Sequence, residues 1–252
     1  MGKTLLLTAT ISPPANAVKL ARTDPRARLR DYLQALEFYL ALPEQVVGRI
    51  VFVENSASDL SDLRQLAARF PNREIDFISF SGLDYSPKFG RAYGESRLLD
   101  YAMAQAGGIL SRLPPHEPIW KVTGRLRLTN IGQMMRGAPP IYDMYCDMRN
   151  RPAHWMEMRV YAFTRHAYRH ILMGIAERLR EDLHNTLAAE TLIYDHIMEY
   201  ADKMRIVPRF RTQPIIAGIS GFANHDYSHG LANNLKTATR MVLRKVAPRL
   251  WV

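Results

Sequence analysis

Hydrophobic residues in this chain follow two rhythms. Unbroken apolar runs at residues 5–7 and 50–53 have the length and composition of strands covered on both faces, and they predict strands over 3–11 and 49–58. Between them, residues 24–42 place Leu29, Leu33, Leu36 and Leu40 at helical spacing, with Asp24 ahead of them as a capping residue. The alternation continues with a helix over 60–70, a strand over 74–80, a helix over 94–110 and a strand within 118–128. Strands that alternate with helices predict βαβ units and a mainly parallel sheet. Further along, the pattern predicts a strand over 155–165, helices over 168–182 and 187–204, and a short strand over 214–221. A basic helix with a tail follows over 229–252. No proline-rich linker divides the halves. The expectation is one α/β domain over 1–227, with 228–252 a helical elaboration that joins the same domain or faces a membrane.

Composition narrows the class. The 252 residues suit one large α/β domain, and 47% hydrophobic with 23% charged residues is ordinary for a soluble globular protein. No apolar run approaches the roughly 20 residues that span a bilayer, and the N-terminal segment reads as a first strand rather than a signal peptide. Cys146 is the single cysteine, which excludes an intrachain disulfide and a cysteine-based zinc cluster. A cytoplasmic protein is expected, with room for peripheral association at the inner face of the membrane. Lys plus Arg number 34 against 24 acids, a formal net charge of +10, so the surface favours polyanions: nucleic acid, anionic membrane or phosphorylated substrates. The chain shows no helix-turn-helix or RNP-like signature, so no specific nucleic acid is expected as a partner.

In parallel sheets, ligands bind beyond the carboxyl ends of the strands. Polar residues gather at those positions here: Thr8 and Thr10, then Glu54-Asn55-Ser56, then Thr123-Gly124-Arg125. Gly124 would let a ligand approach the backbone, and Arg125 offers a planar fork to phosphate or carboxylate. The stretch KFGRAYGE, with Lys88, Gly90, Arg91, Gly94 and Glu95, reads as an anion-binding loop opening a helix, or as an ordinary loop with Glu95 in the first helical turn. Asp143 and Asp147 stand four apart, so on a strand they share a face. They could bind a metal, contact acceptor hydroxyls, supply a base, or pair with Arg149 and Arg151. Glu190 interrupts an apolar helical stretch, where a carboxylate is costly to bury without a partner. His225 and His229 lie in a Gly-flanked polar segment without the carboxylate of a zinc-protease motif. The C-terminal stretch mixes Lys236, Arg240, Arg244, Lys245 and Arg249 with Leu235, Met241, Val242, Leu250 and Trp251. It reads as a membrane-surface helix or as a packed terminal helix with a basic face.

In the order of these motifs, the chain resembles GT-A glycosyltransferases, more closely those of bacterial capsule and lipopolysaccharide clusters. The motifs are a strand ending in Glu54-Asn55-Ser56, GRAYGE at 90–95, KVTGR at 121–125, Asp143 with Asp147, and a later helix containing Glu190; the likeness spans roughly residues 3–221. The resemblance implies a GT-A-like, Rossmann-type sheet flanked by helices. It also implies transfer of a sugar from a nucleotide-sugar donor to a surface-polysaccharide or lipid-linked acceptor. Thr8, Glu54 and Asn55 would hold the nucleoside. Lys88, Arg91, Lys121 and Arg125 would hold the diphosphate, with Gly90, Gly94, Glu95, Thr123, Gly124, His225 and His229 completing the donor site. Glu190 or Asp147 would act as base. One departure matters: the metal-holding Asp-x-Asp of the family is replaced by Thr123-Gly124-Arg125. Mn²⁺ or Mg²⁺ is therefore not expected to be essential, because protein cations can offset the charge of the leaving diphosphate. The alternative class is a non-enzymatic basic α/β protein that binds nucleic acid or a sugar nucleotide.

Overall fold

The structure is a computed structural model and describes residues 2–219 other than 16, 18, 19 and 184–187. Its first part runs β1 (Lys3–Ala9), α1 (Pro25–Leu40), β2 (Val47–Glu54), α2 (Ser61–Ala68), β3 (Glu74–Ser79), α3 (Arg91–Ala104), α4 (Ile109–Arg112) and β4 (Pro118–Thr123). The second part consists of shorter pieces: β5 (Arg127–Leu128), α5 (Ile131–Gly137), β6 (Met144–Tyr145), β7 (Met148–Arg149), β8 (Trp155–Met156), β9 (Val160–Thr164), α6 (Arg165–Ala167), α7 (Ala189–Met198), β10 (Ile206–Val207) and β11 (Ile216–Ala217).

Seven strands form one mainly parallel sheet in the order β10-β6-β9-β4-β1-β2-β3. β1 pairs parallel with β2 and β4, and β2 pairs parallel with β3. β9 runs antiparallel to both β4 and β6. β5 pairs with β11, and β7 pairs with β8, as two small antiparallel sheets. Alternate side chains of the central strands serve opposite cores, as the pleat requires. Leu5, Leu7, Phe52 and Trp120 pack with Tyr32, Leu36 and Tyr39 of α1. Leu6, Val51, Val53 and Ile119 pack with Leu98 and Leu99 of α3 and with Phe163. The unbroken apolar runs follow from this double coverage.

α1 starts as expected: the Asp24 carboxylate accepts from the Arg26 backbone N–H at 3.0 Å, and Pro25 occupies the first turn. Its most buried stripe runs through Tyr32, Ala35, Leu36 and Tyr39, while Leu29 and Leu33 pack at the margin. The helix expected over 168–182 is instead a five-residue π-turn (Tyr168–Leu172) and a 3-10 turn (Ile175–Leu179). Gly174 between them has φ 75°, a left-handed conformation that ends any continuous helix. The strand expected over 155–165 divides into β8 and β9, and the helix expected over 187–204 ends at Met198. The boundary at 227, the basic segment 228–252, and His225 and His229 lie outside the described residues. Among the described residues, no helix is long and apolar enough to cross a membrane.

The strand order creates a switch. From β1 the chain builds outward through β2 and β3, then returns to the other side of β1 to lay down β4. A crevice at the carboxyl ends of β1 and β4 is the place such sheets offer to ligands.

Candidate functional site

At that crevice three elements meet on one carboxylate. Thr8, near the end of β1, donates its hydroxyl to Glu95 Oε1 at 2.7 Å. Lys121 of β4 places Nζ 2.6 Å from the same oxygen and also donates to the Met158 carbonyl at 2.7 Å. The lysine side chain is fully buried, whereas that of Glu95 is 23% exposed. A buried ammonium requires both a counter-charge and hydrogen bonds, and it has them. Glu95 Oε2 has no partner among the described residues, so the carboxylate is anchored through one oxygen and keeps a second acceptor. The Tyr161 ring lies 5.3 Å from the lysine nitrogen. Burial, and after it the charge of Glu95, push the Tyr161 phenol well above its ordinary value, which keeps it neutral.

Glu54 and Asn55 brace the rim of the crevice from behind. Glu54 is fully buried and accepts from the backbone N–H groups of Ile11 (3.0 Å), Ser56 (2.9 Å) and Ser58 (3.1 Å), and from the Ser56 hydroxyl. The loops after β1 and β2 are thereby tied to one carboxylate. Asn55 Oδ1 accepts from the Thr10 hydroxyl at 2.6 Å, and the Asn55 backbone N–H donates to the Ala9 carbonyl at 3.1 Å. Thr10 is held from the other side: its N–H donates to the Tyr32 hydroxyl at 2.9 Å, and Arg28 Nε donates to its carbonyl at 2.7 Å.

The residues after β4 form the other lip. The Gly124 backbone N–H donates to the Thr8 carbonyl at 2.8 Å, and a Cβ at position 124 would stand 2.8 Å from that same oxygen. The space a side chain would need belongs to β1, so strand-to-strand approach is what requires the glycine here. Arg125 is half-buried, and its guanidinium donates to the Ile219 carbonyl. Tyr39, from α1, donates its hydroxyl to the Leu126 carbonyl at 2.8 Å and accepts from the Leu128 N–H at 2.9 Å. Burial raises its pKa.

The KFGRAYGE stretch leads into α3. Lys88 and Arg91 are exposed. The Glu181 carboxylate covers Gly90, where a Cβ would meet its Cδ at 2.5 Å; the Tyr85 hydroxyl covers Gly94, where a Cβ would meet it at 1.8 Å. Both glycines have packing reasons of their own.

Asp143 and Asp147 make different contacts. Asp143 directly precedes the two-residue β6, and Asp147 follows it after Cys146. Asp143, at the amino end, accepts from the Arg205 N–H at 3.0 Å and lies 3.8 Å from His116 Nδ1. Asp147, at the carboxyl end, is buried, and its carbonyl accepts from the Glu157 N–H at 2.9 Å. Among the described residues, no three His, Cys, Asp or Glu side chains group so as to hold a metal ion. Glu190 lies in the first turn of α7, half-buried. His154 joins α7 to the end of the β7–β8 hairpin: its carbonyl accepts from Thr191 Oγ1 at 2.8 Å, its Nδ1 lies 2.6 Å from Asp195 Oδ1, and its ring stacks on Tyr194 at 4.4 Å.

One ion pair at this edge escapes the sequence reading. Glu157 is buried, and its Oε1 accepts from Arg159 Nε at 2.6 Å. Burial pushes its pKa up, but the charge and hydrogen bonds of Arg159 outweigh that and hold the carboxyl below its usual value. The Arg159 carbonyl accepts from the Thr123 N–H at 2.9 Å, which sets the pair beside the end of β4. Its only signal in the sequence is the Glu-x-Arg spacing within a strand-like stretch. Of the expected site residues, the structure brings Thr8, Glu95, Lys121, Asn55, Thr123 and Gly124 to one edge of the sheet.

No family model matches the chain, and no curated protein sequence matches it. Solved structures with some similarity include the glycosyltransferase GlyE of Streptococcus pneumoniae (TM-score 0.49, 8% identity, 82% of this chain and 45% of that one). They also include the inositol-1-phosphate CTP transferase of T. maritima (TM-score 0.48, 12% identity, 98% of each chain). A third is the nucleoside-diphosphate-sugar pyrophosphorylase of Vibrio cholerae (TM-score 0.43, 14% identity, 82% of this chain and 91% of that one). This chain spans less than half the length of the pneumococcal glycosyltransferase. At such scores and identities, what the chain does has to be read from its own site.

Proposed function

We propose that the chain is a nucleotide-sugar-dependent glycosyltransferase acting on a surface-polysaccharide or lipid-linked acceptor. The observation that carries this reading is the convergence at the β1/β4 switch of an anchored carboxylate with a spare oxygen, a hydroxyl–amide pair and an arginine. Glu95 Oε2 is placed to accept from ribose or sugar hydroxyls, as an acidic residue does at comparable crevices. Thr10 and Asn55, braced by Glu54, line the nucleoside side. Arg125, with Lys88 and Arg91 at the approach to α3, meets the diphosphate and offsets its charge as it leaves. The acceptor oxygen attacks the anomeric carbon, the bond from that carbon to the diphosphate oxygen breaks, and the acceptor proton passes to Asp147 or Glu190.

A thermal-shift screen of the full chain against UDP, GDP, CMP and TDP sugars tests the reading, since a ligand of the native state raises Tm by mass action. The expected result is stabilisation by one donor class, retained in EDTA. Binding to the Arg125→Ala protein should be about tenfold weaker, because a charge-assisted hydrogen bond is worth about 1.5–3 kcal/mol. Arg125→Lys should recover only part of that. Loss of binding in EDTA together with an indifferent Arg125→Ala would establish a metal site instead. Donor binding without transfer to any acceptor would argue for a binding module. If transfer occurs, Asp147→Asn and Glu190→Gln identify the base by which of them abolishes turnover while leaving donor affinity intact.

A further inference from the structure

The opposite edge of the sheet has a cleft that the proposed transfer reaction does not use. It encloses about 760 Å³, within the roughly 300–1,000 Å³ typical of small-molecule sites. Lys3 opens β1 there, Asp143 and Arg205 precede β6 and β10, and His166 follows β9, which runs the other way. The cleft is therefore an amino-edge feature, with the length of the sheet between it and the β1/β4 crevice.

Its charge is unbalanced. Lys3, Lys203, Arg205, His116 and His166 line it, against Asp143 and Asp202. Asp143 is already engaged, with one oxygen on the Arg205 N–H at 3.0 Å and the other 3.8 Å from His116 Nδ1. Among the described residues, the Lys3 and Lys203 ammonium groups and the Arg205 guanidinium have no ion-pair partner. Arginines elsewhere do: Arg22 with Asp31, Arg97 with Asp84 and Arg112 with Glu74, each at 2.8 Å. Cations left unmatched around one concavity are a binding surface for an anion, and an oxyanion with several acceptor oxygens can take more than one of them. The His116 and His166 rings, with centroids 5.0 Å apart, add N–H donors. The remaining wall is apolar and stiff. Pro139 and Pro140 fix the backbone, Met204 is part of the same lining, and Ile141 is 64% exposed. An uncovered isoleucine beside unmatched cations fits a ligand with a charged head and an apolar body.

We infer that this amino-edge cleft binds a phosphate monoester attached to an apolar group, with Lys203 and Arg205 as its principal phosphate contacts. A lipid headgroup and a soluble phosphorylated molecule share that chemistry, and the test separates them. Calorimetric titration of phenyl phosphate into the full chain should show single-site binding. Lys203→Ala/Arg205→Ala should weaken it by about tenfold or more, from the loss of two charge-assisted contacts. The control Arg26→Ala/Arg30→Ala removes the same charge from the exposed side of α1 and should leave binding unchanged. In parallel, sedimentation with phosphatidylcholine vesicles is compared with and without phosphatidic acid. Phosphatidic-acid-dependent pelleting that is lost in Lys203→Ala/Arg205→Ala assigns the cleft to lipid, and a deficit confined to phenyl phosphate assigns it to a soluble ligand. Absence of phenyl phosphate binding to the unsubstituted chain, or equal binding by the unsubstituted chain and Lys203→Ala/Arg205→Ala, would overturn the inference.

Discussion

The carboxyl-edge crevice and the amino-edge cleft treat charge in opposite ways. At the carboxyl edge, Glu54 sits among backbone donors, Glu95 is locked to a buried lysine, and Glu157 to Arg159. At the amino edge, Lys3, Lys203 and Arg205 surround an open cleft without ion-pair partners among the described residues. The difference teaches where function and stability can be separated. A carboxyl-edge charge is also a structural member, since removing it leaves its partner stranded in a poorly solvated place. In the amino-edge cleft, Lys203 and Arg205 stand in water and can be removed alone.

The sharpest test of this contrast is Glu95→Gln. It strands the fully buried Lys121 ammonium and should cost about 3–5 kcal/mol, read as a lower denaturation midpoint, with Lys121→Met/Glu95→Gln recovering most of the loss. A cost below about 1 kcal/mol would break the comparison, because it would equate a buried pair with a surface one. Next in size is Gly124→Ala, whose methyl group would press on the Thr8 carbonyl. A loss of about 2–3 kcal/mol is expected, measured the same way. Glu157→Gln should cost less, about 1–2 kcal/mol near neutral pH, since Arg159 is a third exposed. Its signature is the pH dependence. The folded carboxyl titrates below its ordinary value, so the unfolded chain takes up the proton first as pH falls. The Glu157 contribution is thus complete above the ordinary carboxylate range and is lost as pH drops through the lower, folded value. The stability gap between the unsubstituted chain and Glu157→Gln should narrow as pH falls through the ordinary carboxylate range and close once pH is below the lower, folded value. Smallest of all, Lys203→Ala/Arg205→Ala should shift stability by no more than about 0.5 kcal/mol, as exposed positions do. A larger loss would mean that these cations hold the fold after all.

The frame of the sheet was legible because its cause is local. Residues 5–7 and 50–53 are apolar on both faces since helices cover both, and strand direction then sends Thr8, Asn55 and Thr123 to the same edge. What stayed hidden depends on partners far along the chain. Lys121 looks in sequence like a cation offered to a ligand; only the packing of α3 on β1 shows that Glu95 occupies it. Gly124 looks like room for a substrate until the Thr8 carbonyl is found in that room. Gly174 falls in an otherwise helical pattern, and its positive φ, rather than any loss of apolar spacing, breaks the segment.

Tyr39 carries a consequence for measurement. Its single oxygen donates to the Leu126 carbonyl and accepts from the Leu128 amide, so a side chain of α1 completes the backbone bonding of the segment leaving β4. That amide has no other route to satisfaction while the helix is docked, and it can trade its hydrogen with solvent only when α1 lifts away. Deuterium uptake at Leu128 therefore reports how often the lip of the crevice opens, on a timescale of minutes to hours. In Tyr39→Phe the same amide should exchange faster while amides in the middle of β1 keep their protection, which would separate opening of the lip from unfolding of the sheet.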